Sequence, residues 1–216
     1  MYTGNENLSH EGKDLPVTML HFWQWAYSNI IHNMQRGTFA HFIVKCALDA
    51  GHIPTCQEIG TGLEPYDLEG PPIPSTGNPA RIEVKSAAFV QIWEIRHPDH
   101  ANFSIAPAKV PDETGDYRNY APRQRNNDLY VFTVYTATKR DQNILDLSLW
   151  EFYVLPTYRI ETDSKLRKQK TISLKSVQKL CTPVSFNNLC ATIIEACQNI
   201  PASFSRYTIY PDGHAE

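Results

Sequence analysis

The chain has 216 residues, a formal charge of −3, and 42% apolar against 20% charged residues, a globular balance that excludes wholesale disorder. Mild acidity argues against a protein that coats nucleic acid non-specifically, while leaving binding through a local basic patch open. No apolar run approaches membrane-spanning length and the N-terminus lacks the basic and apolar regions of a signal peptide, so a cytoplasmic protein with no membrane partner is expected.

The length favours one well-buried core over two. The expected organisation is a flexible arm over residues 1–15, a single domain over 16–206 and a tail over 207–216. Five cysteines, Cys46, Cys56, Cys181, Cys190 and Cys197, form no C-x-x-C pair and are odd in number, so free thiols are expected rather than a zinc ribbon or disulfide framework.

In chain order, Met19, Phe22, Trp23, Ala26 and Ile30 recur at three- and four-residue spacing and predict a helix from about residue 16. Trp23, Trp25 and Tyr27 invite base stacking, yet aromatics at helical spacing read first as core. A second helix is expected over residues 37 to 50 through Phe39, Phe42, Ile43, Cys46 and Ala47, with Gly51 at the position of a C-terminal cap. Arg36, just before it, can grip a phosphate or pair with an acid. Residues 69 to 79 are rich in Gly, Pro, Ser and Asn, the composition of a loop that doubles the chain back.

On the near side of that loop stands Asp67; on the far side runs Arg81-Ile82-Glu83-Val84-Lys85-Ser86. Ile82 and Val84 alternate with Glu83 and Lys85, so a strand here puts the acid and the amine on one face. If the loop returns the chain, Asp67 reaches Glu83. Two carboxylates so close repel unless a cation lies between them, and hard oxygen ligands select Mg²⁺ or Mn²⁺. Beside such an ion Lys85 can orient the attacking water or offset charge on a phosphoryl oxygen.

Downstream, residues 89 to 93 continue apolar around Gln91 as strand or short helix, and His97, Asp99 and His100 are not at an established metal spacing. Residues 102 to 106 alternate as a strand. Residues 110 to 127 form a long polar connection in which Arg118, Arg123 and Arg125, interleaved with Tyr117 and Tyr120, can be a nucleic-acid contact loop or a solvated one. Residues 128 to 135 and 151 to 155 are apolar runs expected as buried strands. Between residues 165 and 179, Lys165, Arg167, Lys168, Lys170, Lys175 and Lys179 recur without an acid, either a DNA-binding stretch or a solvated face. Leu189, Ile193 and Ala196 predict a closing helix.

At Asp67, Glu83 and Lys85 the sequence resembles the PD-(D/E)xK nuclease superfamily, and its order of segments is similar to an uncharacterised bacterial group within it. The resemblance implies a restriction-endonuclease-like α/β core, with a mixed central sheet flanked by helices. It implies Asp67, Glu83, Lys85 and Gln91 as catalytic residues, Asp67, Glu83 and the Val84 carbonyl as Mg²⁺ ligands, and cleavage leaving 5′-phosphate ends. The expected activity is a Mg²⁺-dependent endodeoxyribonuclease acting in a setting such as restriction or phage defence. DNA would be contacted by Arg36, Arg118, Arg123, Arg125, Lys168 and Lys170. Relatives that cut both strands often work as dimers, so a homodimer is a candidate assembly. Where that group carries an acid on the helix after the Arg36-Gly37 pair, this chain has His41. A histidine can still ligate a metal, but the departure keeps open a catalytically lapsed nucleic-acid-binding module. A third reading makes Glu83 and Lys85 a plain ion pair on a sheet.

Overall fold

A computed structural model describes residues 1–53, 66–91, 100–109 and 123–204. At its centre lies a four-stranded mixed sheet in the order β3-β4-β6-β7. The strands are β3 (Leu68–Pro72), β4 (Pro79–Ala88), β6 (Leu129–Tyr135) and β7 (Trp150–Pro156). β4 and β6 run parallel and the other pairs antiparallel. β6, the run Leu-Tyr-Val-Phe-Thr-Val-Tyr, is buried at every position because it is covered on both faces.

The loop expected over residues 69 to 79 is shorter than its composition suggested. Gly70, Pro71 and Pro72 belong to β3, which tolerates proline because it lies at the sheet edge. A Cβ at Gly70 would come within 2.6 Å of Ile82 Cδ1, so glycine permits the close pairing of β3 with β4. The turn itself is confined to residues 73 to 78, where the Ile73 carbonyl accepts from the N–H groups of Thr76 and Gly77, and Gly77 supplies a φ of 74°.

Helices α2 (Asn33–Ala50) and α5 (Phe186–Gln198) cover one face of the sheet. Ala40, Ile43, Val44, Ala47 and Leu48 of α2 and Leu189, Ile193 and Cys197 of α5 form one core with Ile82, Val84, Leu129 and Val131. Gly51 caps α2 as expected, although the left-handed residue is the next one, His52, with φ 56°. The opposite face is covered by the two-stranded ribbon of β5 (Asn102–Ser104) and β8 (Thr171–Ser173), with α3 (Thr157–Thr162) and α4 (Leu174–Leu180). There Phe132 stacks on Tyr130 at 5.3 Å and meets Phe103 at 4.8 Å.

The N-terminal segment departs from both expectations made for it. Residues expected as a loose arm form an antiparallel hairpin, β1 (Asn7–His10) and β2 (Lys13–Thr18), and Pro16 lies in β2 rather than opening a helix. The helix that follows, α1 (Met19–Tyr27), is tied to the segment before the hairpin by bonds from Met19 N–H to the Glu6 carbonyl and Leu20 N–H to the Gly4 carbonyl. Its aromatics are not core: α1 buries no residue and Trp25 is 83% exposed. Helical spacing identified the helix, but its apolar stripe is at most half-buried, with Trp23 set against Gly4. Among those residues no helix is long and apolar enough to cross a membrane.

The contrast between the two aromatic groups is measurable. Phe132→Ala, which empties a fully buried site, should cost about 3–5 kcal/mol in urea unfolding. Trp25→Ala should stay within about 0.5 kcal/mol of the parent chain.

Candidate active site

β3 begins at Leu68, and Asp67 stands immediately before it, where its pairing with β4 stops. Its N–H donates to the Ile82 carbonyl at 2.9 Å, continuing the ladder by one bond. Its carboxylate then accepts the Val84 N–H through Oδ2 at 2.7 Å, in the place a strand partner would have occupied. His41, reaching from α2, brings Nε2 within 3.4 Å of the same oxygen. Asp67 is thereby held at the sheet edge from two directions.

Glu83 and Lys85 share the face of β4 opposite α2, in register with Tyr130 and Phe132 of β6. Lys85 Nζ donates to Glu83 Oε1. Burial raises the pKa of the Glu83 carboxyl and the neighbouring Asp67 charge raises it further, with Lys85 opposing both. The doubling back expected across the turn therefore occurs, and the two acids feel one another. Among the described residues no three His, Cys, Asp or Glu side chains form a ready-made ion cage. Glu83 is turned toward Lys85, and Asp67 toward Val84 and His41.

The other candidate residues separate into groups. Gln91 belongs to neither a strand nor a helix; it is 3% exposed and ties the end of β4 to α2. Its Nε2 donates to the Ala88 carbonyl at 2.8 Å and its Oε1 accepts from Arg36 Nη1 at 3.5 Å. Arg36 is also 3% exposed and donates to the Ile31 carbonyl and Asn33 Oδ1. It therefore organises the start of α2 instead of standing on the surface. A cavity of about 320 Å³ bordered by Arg36, Lys85 and Gln91 opens beside them.

Arg125 does not stand out as a phosphate contact. It is 2% exposed, and its guanidinium donates to the carbonyls of Ile105 and Gln169 and to Glu161 Oε1. A run of arginines in a polar segment gave no sign that one of them turns inward as a brace. Arg123, Lys168 and Lys170 are exposed, as are Lys165, Lys175 and Lys179. Arg118, Cys56, Trp93, His97 and Asp99 lie outside the described residues. Among those described, Cys46, Cys181, Cys190 and Cys197 are free thiols, and burial raises the pKa of each.

Asp128 was missed as a positioning residue. It immediately precedes β6, and its carboxylate accepts the Arg81 backbone N–H at 2.9 Å and the guanidinium at 3.0 and 3.1 Å. That clamp sets the start of β4 against β6 and so fixes the strand that carries Glu83 and Lys85. Only the pairing of two strands distant in sequence discloses it. Compared with protein-family models, with curated proteins and with solved structures, the chain matches none.

The Glu83 environment has a pH signature. An acid that holds its proton more tightly when folded costs stability once it ionises, and that cost is absent below the ordinary carboxylate range near pH 4. Thermal unfolding should therefore show Glu83→Gln gaining on the parent chain as the pH rises above about 4. A variant whose deficit instead grows with pH would show that the Lys85 attraction outweighs burial and Asp67.

Proposed function

We propose that the chain is a Mg²⁺-dependent endonuclease hydrolysing DNA phosphodiesters, built on a restriction-endonuclease-like core of the PD-(D/E)xK kind. The observation that carries this reading is the meeting of Asp67 with Glu83 and Lys85 at the end of β3, with one acid in the sheet edge and an acid–amine pair beside it. The parallel β4–β6 pair and the helices on both faces of a mixed sheet support the fold assignment.

The donor set fits a hard divalent cation. Burial raises the Glu83 pKa and the neighbouring Asp67 charge raises it further, and a cation between the two carboxylates relieves that repulsion. Asp67, Glu83 and the Val84 carbonyl would hold Mg²⁺ or Mn²⁺. When bound, such an ion polarises the phosphoryl oxygen and lowers the pKa of a bound water. Lys85, released from Glu83, donates to the water that attacks phosphorus and keeps its lone pair aimed at the scissile group. The P–O3′ bond breaks, the O3′ takes a proton, and the 5′ side keeps the phosphate. His41 works through Asp67, holding its Oδ2 so that the carboxylate stays beside Glu83.

DNA would run over the exposed cations Arg123, Lys168 and Lys170, which supply salt-dependent attraction that the net charge of −3 does not. A homodimer would bring a second site to the opposite strand. The resemblance is compatible with restriction, phage defence, repair and mobile-element processing alike.

In a supercoiled-plasmid nicking assay with Mg²⁺, Glu83→Ala and Lys85→Ala should each lower the rate by on the order of 10²–10⁴. Equal activity in the parent chain and both variants sinks the reading. A second reading, a lapsed nuclease that only binds nucleic acid, is favoured by the Glu83–Lys85 pair closing on itself and by His41 in the place of an acid. Calorimetry separates the two. The enzyme should bind Mn²⁺ with a heat that disappears in Asp67→Ala, whereas the lapsed module gives none.

A further inference from the structure

Beyond Asp67 the edge of β4 has no strand hydrogen-bonded to it among the described residues. β3 meets β4 only as far as the Leu68–Ile82 pair, whereas β4 continues to Ala88. Backbone groups in a strand alternate between its two edges, so while Glu83, Lys85 and Ala87 face β6, Val84, Ser86 and Ala88 face the vacated side. Two of these groups are met by side chains: Asp67 takes the Val84 N–H, and Gln91 donates to the Ala88 carbonyl. Between them stands Ser86.

The cavity of about 320 Å³ opens along this edge, between the start of α2 and β5. Ser86 lines it, and its Oγ is buried without a protein hydrogen-bond partner, whereas most buried hydroxyls have one. Asn33 spends Oδ1 on Arg36 and keeps its amide donors, while Asn102 spends Nδ2 on the His100 carbonyl and keeps Oδ1 as an acceptor. The wall therefore offers amide donors and an amide acceptor, and rotation of Ser86 about its Cα–Cβ bond would add a hydroxyl; these are the groups that hydrogen-bond the edge of a nucleobase. Lys85 borders both the cavity and the candidate catalytic face. The volume lies at the small end of ligand pockets, which span roughly 300–1,000 Å³, and has room for one nucleotide but not for a base pair. A base that enters has left its partner.

We propose that this cavity takes one unpaired nucleotide of the strand being cut, next to the scissile phosphate, so that the substrate is single-stranded or frayed DNA rather than intact duplex. This rests on the endonuclease reading for the cutting and on the cavity alone for the nucleotide. Calorimetric titration of the full chain with dAMP and dTMP in EDTA tests the cavity without any metal. Binding is expected, at least about tenfold tighter than inorganic phosphate, and weakened about tenfold in Ser86→Ala and in Asn102→Ala, the latter an exposed position whose change leaves the core intact. With Mg²⁺, a single-stranded oligonucleotide should be cut at least about tenfold faster than the same sequence as duplex. Absence of nucleotide binding, or binding that neither variant weakens, overturns the proposal even if cutting requires Glu83. Nucleotide binding lost in the variants, in a chain that cuts no DNA, upholds the cavity and removes the endonuclease reading instead.

Discussion

The hydrogen bond from the Val84 N–H to the Asp67 carboxylate holds together both the sheet edge and the candidate chemistry. β4 continues past the end of β3, and the first backbone donor left without a strand partner is met by a side chain. A carboxylate in that role closes the ladder with a charge-assisted bond, stronger than the neutral bond it replaces. It also leaves an acid fixed at the position from which Glu83 is felt. One residue thus ends a strand and supplies a site.

Around that bond the molecule spends its buried charges on position. Arg81 and Asp128 align the starts of β4 and β6, Arg36 gathers the start of α2, and Arg125 braces the far face through carbonyls and Glu161. In each case a planar guanidinium with several donors satisfies several acceptors at once, which a lysine could not do. The exposed cations are mostly lysines, in the segment from Lys165 to Lys179. Arg123, Arg140, Arg159 and Arg167 are exposed as well, and it is the interior cations that are all arginine, because ammonium groups are costlier to desolvate.

Strand β4 was legible in the sequence because alternation is a local property: Ile82 and Val84 inward, Glu83 and Lys85 together. The apolar run of β6 and the Leu189–Ile193 stripe of α5 declared themselves the same way. Features set by neighbours were not legible. Pro71 and Pro72 read as loop until β3 proves to be an edge, where a missing N–H costs little. The stripe on α1 read as core because spacing reports a helix and not what faces it. Arg125 looked like a surface cation, and only its four carbonyl and carboxylate acceptors, brought from segments 20 to 44 residues away, make it interior. Ser86, beside the motif, carried no signal apart from its place in the strand.

The mixed direction of the sheet has a consequence for how the acids come to be buried. Asp67 and Val84 are 17 residues apart and joined by a hairpin, whereas Arg81 and Asp128 are separated by 47, the span of the parallel crossover. Short loops close at lower entropic cost than long ones, so the hairpin can bring its two carboxylates together before β6 arrives. In the folded sheet Glu83 is desolvated and its pKa raised, so folding at a pH in the carboxylate range takes up a proton from solution.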